Sequence, residues 1–157
     1  MISIVTGRIN AGKSSRLLRH YETRRQGDGF VSEKTMKKGR PSTYHMRRLS
    51  TAERRCLITH ADDMGPSFET HEVIGPYHLS APAMQWVEET FEALLEKDVE
   101  PLYFDEVGLL EVNRKGFYPL IRRAIESNRD LVLVVREDLL DAFEVTFGVR
   151  TYTLLRE

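Results

Sequence analysis

The stretch Gly7-Arg8-Ile9-Asn10-Ala11-Gly12-Lys13-Ser14 constrains this chain more than any other. It follows the short apolar run Ile2–Val5 and precedes a segment with Leu17, Leu18 and Tyr21 at helical spacing. The pattern is G-x-x-x-x-G-K-[ST], and its setting is the one that pattern requires, a strand before and a helix after. Such a loop points backbone N–H groups and a helix N-terminus inward, which suits a polyphosphate. Gly7 and Gly12 leave the backbone a tight path with no Cβ in the way. The candidate nucleotide-binding residues are therefore Gly7, Arg8, Ile9, Asn10, Ala11, Gly12, Lys13, Ser14 and Ser15. Lys13 is placed to reach the β- and γ-phosphates, and the Ser14 hydroxyl to bind Mg2+.

A chain of 157 residues, 41% of them hydrophobic, buries one proper core, so residues 1–157 are expected to form a single domain. No basic-then-apolar leader opens the sequence, and no run approaches the ~18 apolar residues of a membrane span. Cys56 is the only cysteine. It has no internal partner, which fits a reducing compartment, and a cytoplasmic location is expected. The net charge of −1 hides an asymmetry. Residues 1–60 carry 14 Lys and Arg against 4 Asp and Glu, and residues 61–157 carry 9 against 20.

Periodicity places a strand at Ile2–Thr6 and a helix from Lys13 to Arg24, closed by Gly27-Asp28-Gly29. Phe30–Thr35, Thr43–Leu49 and Arg55–Thr59 read as a β-meander of about residues 30–60, inserted before the next parallel-sheet unit. Its basic residues include Lys34, Lys37, Lys38, Arg40, Arg47, Arg48, Arg54 and Arg55. Nucleic-acid binding is one use for them. Protection of exposed strand edges is favoured, because aromatic platforms beyond Phe30 and Tyr44 are missing. Ala61–Leu79 reads as loop. A helix capped by Ser80 runs to about Lys97, and another spans Asn113–Ser127. Strands are expected at Pro101–Phe104, Leu131–Val135 and Arg150–Leu155, with a short helix from Glu137 to Phe147. Strands alternating with helices imply an α/β, mostly parallel sheet.

A nucleotide site of this kind also needs a carboxylate for the metal and a group that positions the nucleophile. Ligands of open α/β sheets collect outside the C-terminal ends of the strands. Asp105 stands there, after Leu102-Tyr103-Phe104, as the candidate metal residue, with Glu106 next to it as the candidate base. Glu111 reads as a solvated loop residue. Among Arg8, Arg129 and Arg136, the last holds the best position to neutralise charge during transfer, at the C-terminal end of its strand. The candidate catalytic residues are thus Lys13, Glu106 and Arg136, and the candidate metal residues Ser14 and Asp105. Cys56 and His60 are too small a set for zinc. Tyr77 either stacks on a base or packs within its loop.

Taken together, the N-terminal loop, Gly29-Phe30-Val31-Ser32-Glu33 and Asp105-Glu106-Val107-Gly108-Leu109-Leu110-Glu111 resemble the small THEP-type nucleoside-triphosphatase family. The resemblance implies a three-layer, RecA-like P-loop fold and Mg2+-dependent hydrolysis of nucleoside triphosphates with loose base selectivity. The chain departs from the family pattern at Leu109, where a basic residue is usual, and in a loop poorer in Gly and Pro. Asn10 suits a left-handed position there. Two other functions share the loop: a nucleotide or small-molecule kinase, which needs an acceptor pocket, and a binding module with negligible turnover. A nucleoside triphosphate is the expected partner under each, and the sequence leaves the oligomeric state open.

Overall fold

The computed structural model describes residues 1–155. The N-terminal apolar run is β1 (Ile2–Val5), followed by α1 (Lys13–Arg24), β2 (Asp28–Lys37), β3 (Arg40–Arg48), β4 (Arg54–His60), β5 (Thr70–Ile74) and β6 (Tyr77–Ser80). Then come α2 (Ala81–Glu96), β7 (Leu102–Phe104), α3 (Leu109–Val112), α4 (Tyr118–Glu126), β8 (Leu131–Val134), α5 (Leu140–Phe147) and β9 (Thr153–Leu155). All described strands join one sheet in the order β5-β6-β4-β3-β2-β7-β8-β1-β9. From β2 to β9 the pairing is parallel, and from β2 to β5 it is antiparallel.

The period of two along the central strands sorts side chains to two faces, and both faces are covered. Leu131 and Leu133 of β8, Leu102 and Phe104 of β7 and Ile4 of β1 face α2, α4 and α5, where Val87, Phe91, Leu120, Ile121 and Phe143 meet them. Val132, Val134, Tyr103 and Val5 face the other way and pack on Leu17 of α1. These are the three layers the sequence implied, helices on both sides of a sheet.

Three local expectations change. The meander is no separate insertion: β2 pairs in parallel with β7, Phe30 against Phe104, so it continues the central sheet. Its first connection is only the two-residue turn Lys38-Gly39, with φ of 54° and 75°. Two successive positive φ values give the turn whose twist matches a hairpin. The stretch read as loop holds the hairpin β5–β6 around Gly75-Pro76, and the helix expected over 113–127 is confined to α4, with Pro119 in its first turn, while α3 lies before that span. β2 beyond Phe30 and β4 before Ile58 pair on one side only, and Lys34, Lys37, Arg54 and Arg55 stand on those open edges as expected, but few of the meander cations stand there as free charges. Many are ion-paired instead: Arg48 to Asp28 at 2.9 Å, Arg54 to Glu33 at 2.9 Å, and Lys37 and Arg40 to Asp63, each at 3.0 Å.

Other features follow the sequence closely. Ser80 Oγ accepts from Ala83 N at 3.2 Å and caps α2. Asn10 adopts a left-handed φ of 62°.

Candidate active site

Parallel pairing aligns the C-terminal ends of β1, β7 and β8, and backbone hydrogen bonds hold those ends together beyond the strands. Val135 N donates to Val5 O at 3.1 Å, Val107 N to Val134 O at 2.9 Å, and Glu137 N to Gly7 O at 3.1 Å. The loop after β1 is pinned from behind by Arg16, whose guanidinium donates to Thr6 O at 2.6 Å and to Leu155 O at 2.9 Å. Nothing in the sequence pattern singles out Arg16.

Gly12 opens α1 with φ 73°, a conformation that a side chain strains. It offers no side-chain cap, and the first turn of α1 contains no acidic residue. The positive end of the helix therefore stays available to an anion. Lys13 is buried and folds back over the loop, its Nζ donating to Arg8 O at 2.6 Å.

Asp105 and Ser14 join the two halves of the site. Ser14 Oγ donates to Asp105 Oδ2 at 2.5 Å, and Ser32 N of β2 donates to the same oxygen at 3.0 Å. Asp105 is 2% exposed. Burial pushes its carboxyl up to about 7, against the lowering effect of the Ser14 and Ser32 hydrogen bonds and of Lys13. Glu106 opens onto the cleft, crowded by protein on its other sides. Desolvation raises its pKa too, while Lys13 and Arg136 act to lower it.

A cavity of about 700 Å³ is lined by the loop from Ile9 to Ser15 and by Ser32, Lys34, Tyr44, Asp105, Glu106 and Arg136. Lys13, Ser14, Ser15, Asp105, Glu106 and Arg136, chosen from the sequence, thus converge on one space. Arg136 Nε is held by Asp138 Oδ1. Arg8 is not drawn in: its side chain is 89% exposed and faces Glu137 at 3.6 Å. Arg129 lies elsewhere, donating to Leu94 O, Leu95 O and Asp98, and so fastens α2 to the start of β8.

Glu111, read as solvated, is 6% exposed. Its carboxylate accepts from Gly108 N and Phe117 N, both at 2.9 Å, and organises the chain around α3. Tyr77 is packed: it donates to Pro41 O at 3.0 Å and meets the rings of Tyr44 and His60 edge-on. No group of three or more His, Cys, Asp or Glu side chains placed to hold a metal ion occurs among the described residues. No described helix is long and apolar enough to cross a membrane.

The profile of the NTPase family matches residues 3–157. No curated protein sequence matches the chain. Two solved structures share its fold. The crystal structure of THEP1 from the hyperthermophile Aquifex aeolicus superposes with a TM-score of 0.70 at 18% identity, over 99% of this chain and 89% of the other. The solution structure of a human cancer-related nucleoside triphosphatase does so with a TM-score of 0.63 at 16% identity, over 98% and 87% respectively.

Proposed function

The chain belongs to the NTPase family, and on that premise we propose that it is a Mg2+-dependent nucleoside triphosphatase, releasing phosphate from ATP, GTP and related triphosphates. The observation that carries this reading is the 2.5 Å contact between Ser14 and Asp105, which sets a phosphate-type loop against an acidic strand end in one cavity.

A divalent cation suits this donor set. A hydroxyl and a nearly inaccessible carboxylate share a site where burial alone disfavours the ionised carboxylate. Ser14 and Asp105 would hold Mg2+, which supplies charge neutralisation at the phosphates when bound. The chain's own groups do the rest. The loop amides and Lys13 bind and orient the β- and γ-phosphates, fixing the γ-phosphorus toward Glu106. Glu106 orients a water for in-line attack and takes up its proton. The bond to the β-phosphate oxygen breaks, and the diphosphate leaves. Arg136, which lines the same cavity, counters the charge that spreads over the γ-phosphoryl oxygens.

A second reading, phosphoryl transfer to an acceptor, draws on an adjoining cavity of about 230 Å³ that shares Ser32, Tyr44, Asp105 and Glu106 and is otherwise mainly apolar. One experiment addresses both. Phosphate release and diphosphate formation are followed with each of four triphosphates, with and without Mg2+, for the parent chain and Lys13→Ala. Hydrolysis predicts equal phosphate and diphosphate, loss of both with EDTA, and a fall of at least about 100-fold in Lys13→Ala. Unchanged turnover in Lys13→Ala would overturn the proposal.

A further inference from the structure

In the sequence Lys34 is one more basic residue of the meander, yet it alone of that set lines the loop's cavity. It lies on β2 directly opposite Tyr44 of β3, in register across the antiparallel pair. Tyr44 lines the same space. The Lys34 ammonium donates to Asn10 Oδ1, in the middle of the loop that Lys13 closes. Among the described residues it has no carboxylate partner. Lys37, Arg40, Arg47, Arg48, Arg54 and Arg55 all do, as does Arg136 through Asp138. An ammonium held by a neutral amide keeps its full charge for another anion. The Lys34 charge also favours the ionised form of Glu106, which places the two groups within electrostatic reach of each other.

We propose that Lys34 is a catalytic cation supplied in cis by the β2–β3 hairpin, contacting the γ-phosphoryl oxygens in the cavity that Arg136 also lines. Lys13 approaches the phosphates from the loop itself, whereas Lys34 comes over its rim, tethered by Asn10. Tyr44, in register with Lys34 across the strand pair, lines the same cavity beside it. A contact to the terminal phosphoryl group is made in a triphosphate and missing in a diphosphate. Lys34 therefore separates substrate from product by charge as well as stabilising the transition state.

This inference rests on the nucleotide-hydrolysis reading, and its test keeps the two apart. MgATP turnover and the affinities for MgATP and MgADP are measured for the parent chain, Lys34→Met and Lys34→Arg. The expected result is a fall in kcat of about 10- to 100-fold in Lys34→Met. That is smaller than for a buried arginine finger, because the ammonium is solvent-exposed. MgADP affinity should stay within about twofold, and Lys34→Arg should recover most of the rate. A kcat within about twofold of the parent, or an equal loss of MgATP and MgADP affinity, would make Lys34 a mere brace for the loop and overturn the proposal. If the parent chain hydrolyses nothing, the hydrolytic reading fails by itself. The ratio of MgATP to MgADP affinity then decides, falling in Lys34→Met if the contact exists and staying unchanged if it does not.

Discussion

Asp105 is the residue where fold and chemistry conflict most sharply. Its carboxyl is held up at about 7 by burial, against an ordinary value near 3.9. The folded chain therefore binds this proton more tightly than the unfolded chain does. The stability it contributes is fully present below about pH 4 and is lost as pH rises through about 7. Asp105→Asn retains an acceptor for Ser32 N and removes the titration. Without nucleotide or Mg2+, the variant should match the parent in urea unfolding at pH 4 and exceed it at pH 8 by up to about 4 kcal/mol. Parallel stability profiles across that range would show that the parent carries no such burden. The same substitution should abolish Mg2+-dependent turnover, so it separates stability from function at a single atom pair.

At the scale of elements, β2 matters most, because it belongs to both halves of the sheet. Its first residue, Asp28, is 4% exposed and accepts from Gly29 N, Ser50 N, Ser50 Oγ and Arg48 Nε. One carboxylate thus fixes the entry of the strand, the turn after β3 and a partly buried cation. Asp28→Ala leaves those donors unpaired and should lower the unfolding free energy by about 3 kcal/mol, read by denaturant titration. Loss of under about 1 kcal/mol would mean that the donors find water instead. None of this was visible in the sequence, where Asp28 stood between two glycines and read as a turn. What the sequence did carry was local: the loop and α1, the Ser80 cap, and the buried runs of β7 and β8, each set by spacing within about a dozen residues. The β5–β6 hairpin is not legible in the sequence, because Gly75-Pro76, a true turn, lies within a stretch that reads as one longer loop.

Across the whole molecule, one sheet delivers the loop after β1, the acidic pair after β7, Arg136 after β8 and Lys34 from β2 to a single cavity. The loop and the acidic pair were legible because each is a short motif at a strand end. Lys34 and Tyr44 were not, since their place depends on β2 lying beside β7. That long-range neighbourhood brings Ser32 onto Asp105, 73 residues away in sequence. A constellation mounted on paired strands is held in place before any ligand arrives, which is where positional and electrostatic catalysis gain their strength. Under the proposed function, Glu106 is the group that makes this cavity hydrolytic instead of merely nucleotide-binding. The most direct test is to measure MgATP affinity and phosphate release side by side for the parent chain and Glu106→Gln. Turnover of Glu106→Gln should fall about 10²- to 10⁴-fold with affinity within a few-fold of the parent. A Glu106→Gln variant that releases phosphate at the parent rate would contradict this expectation.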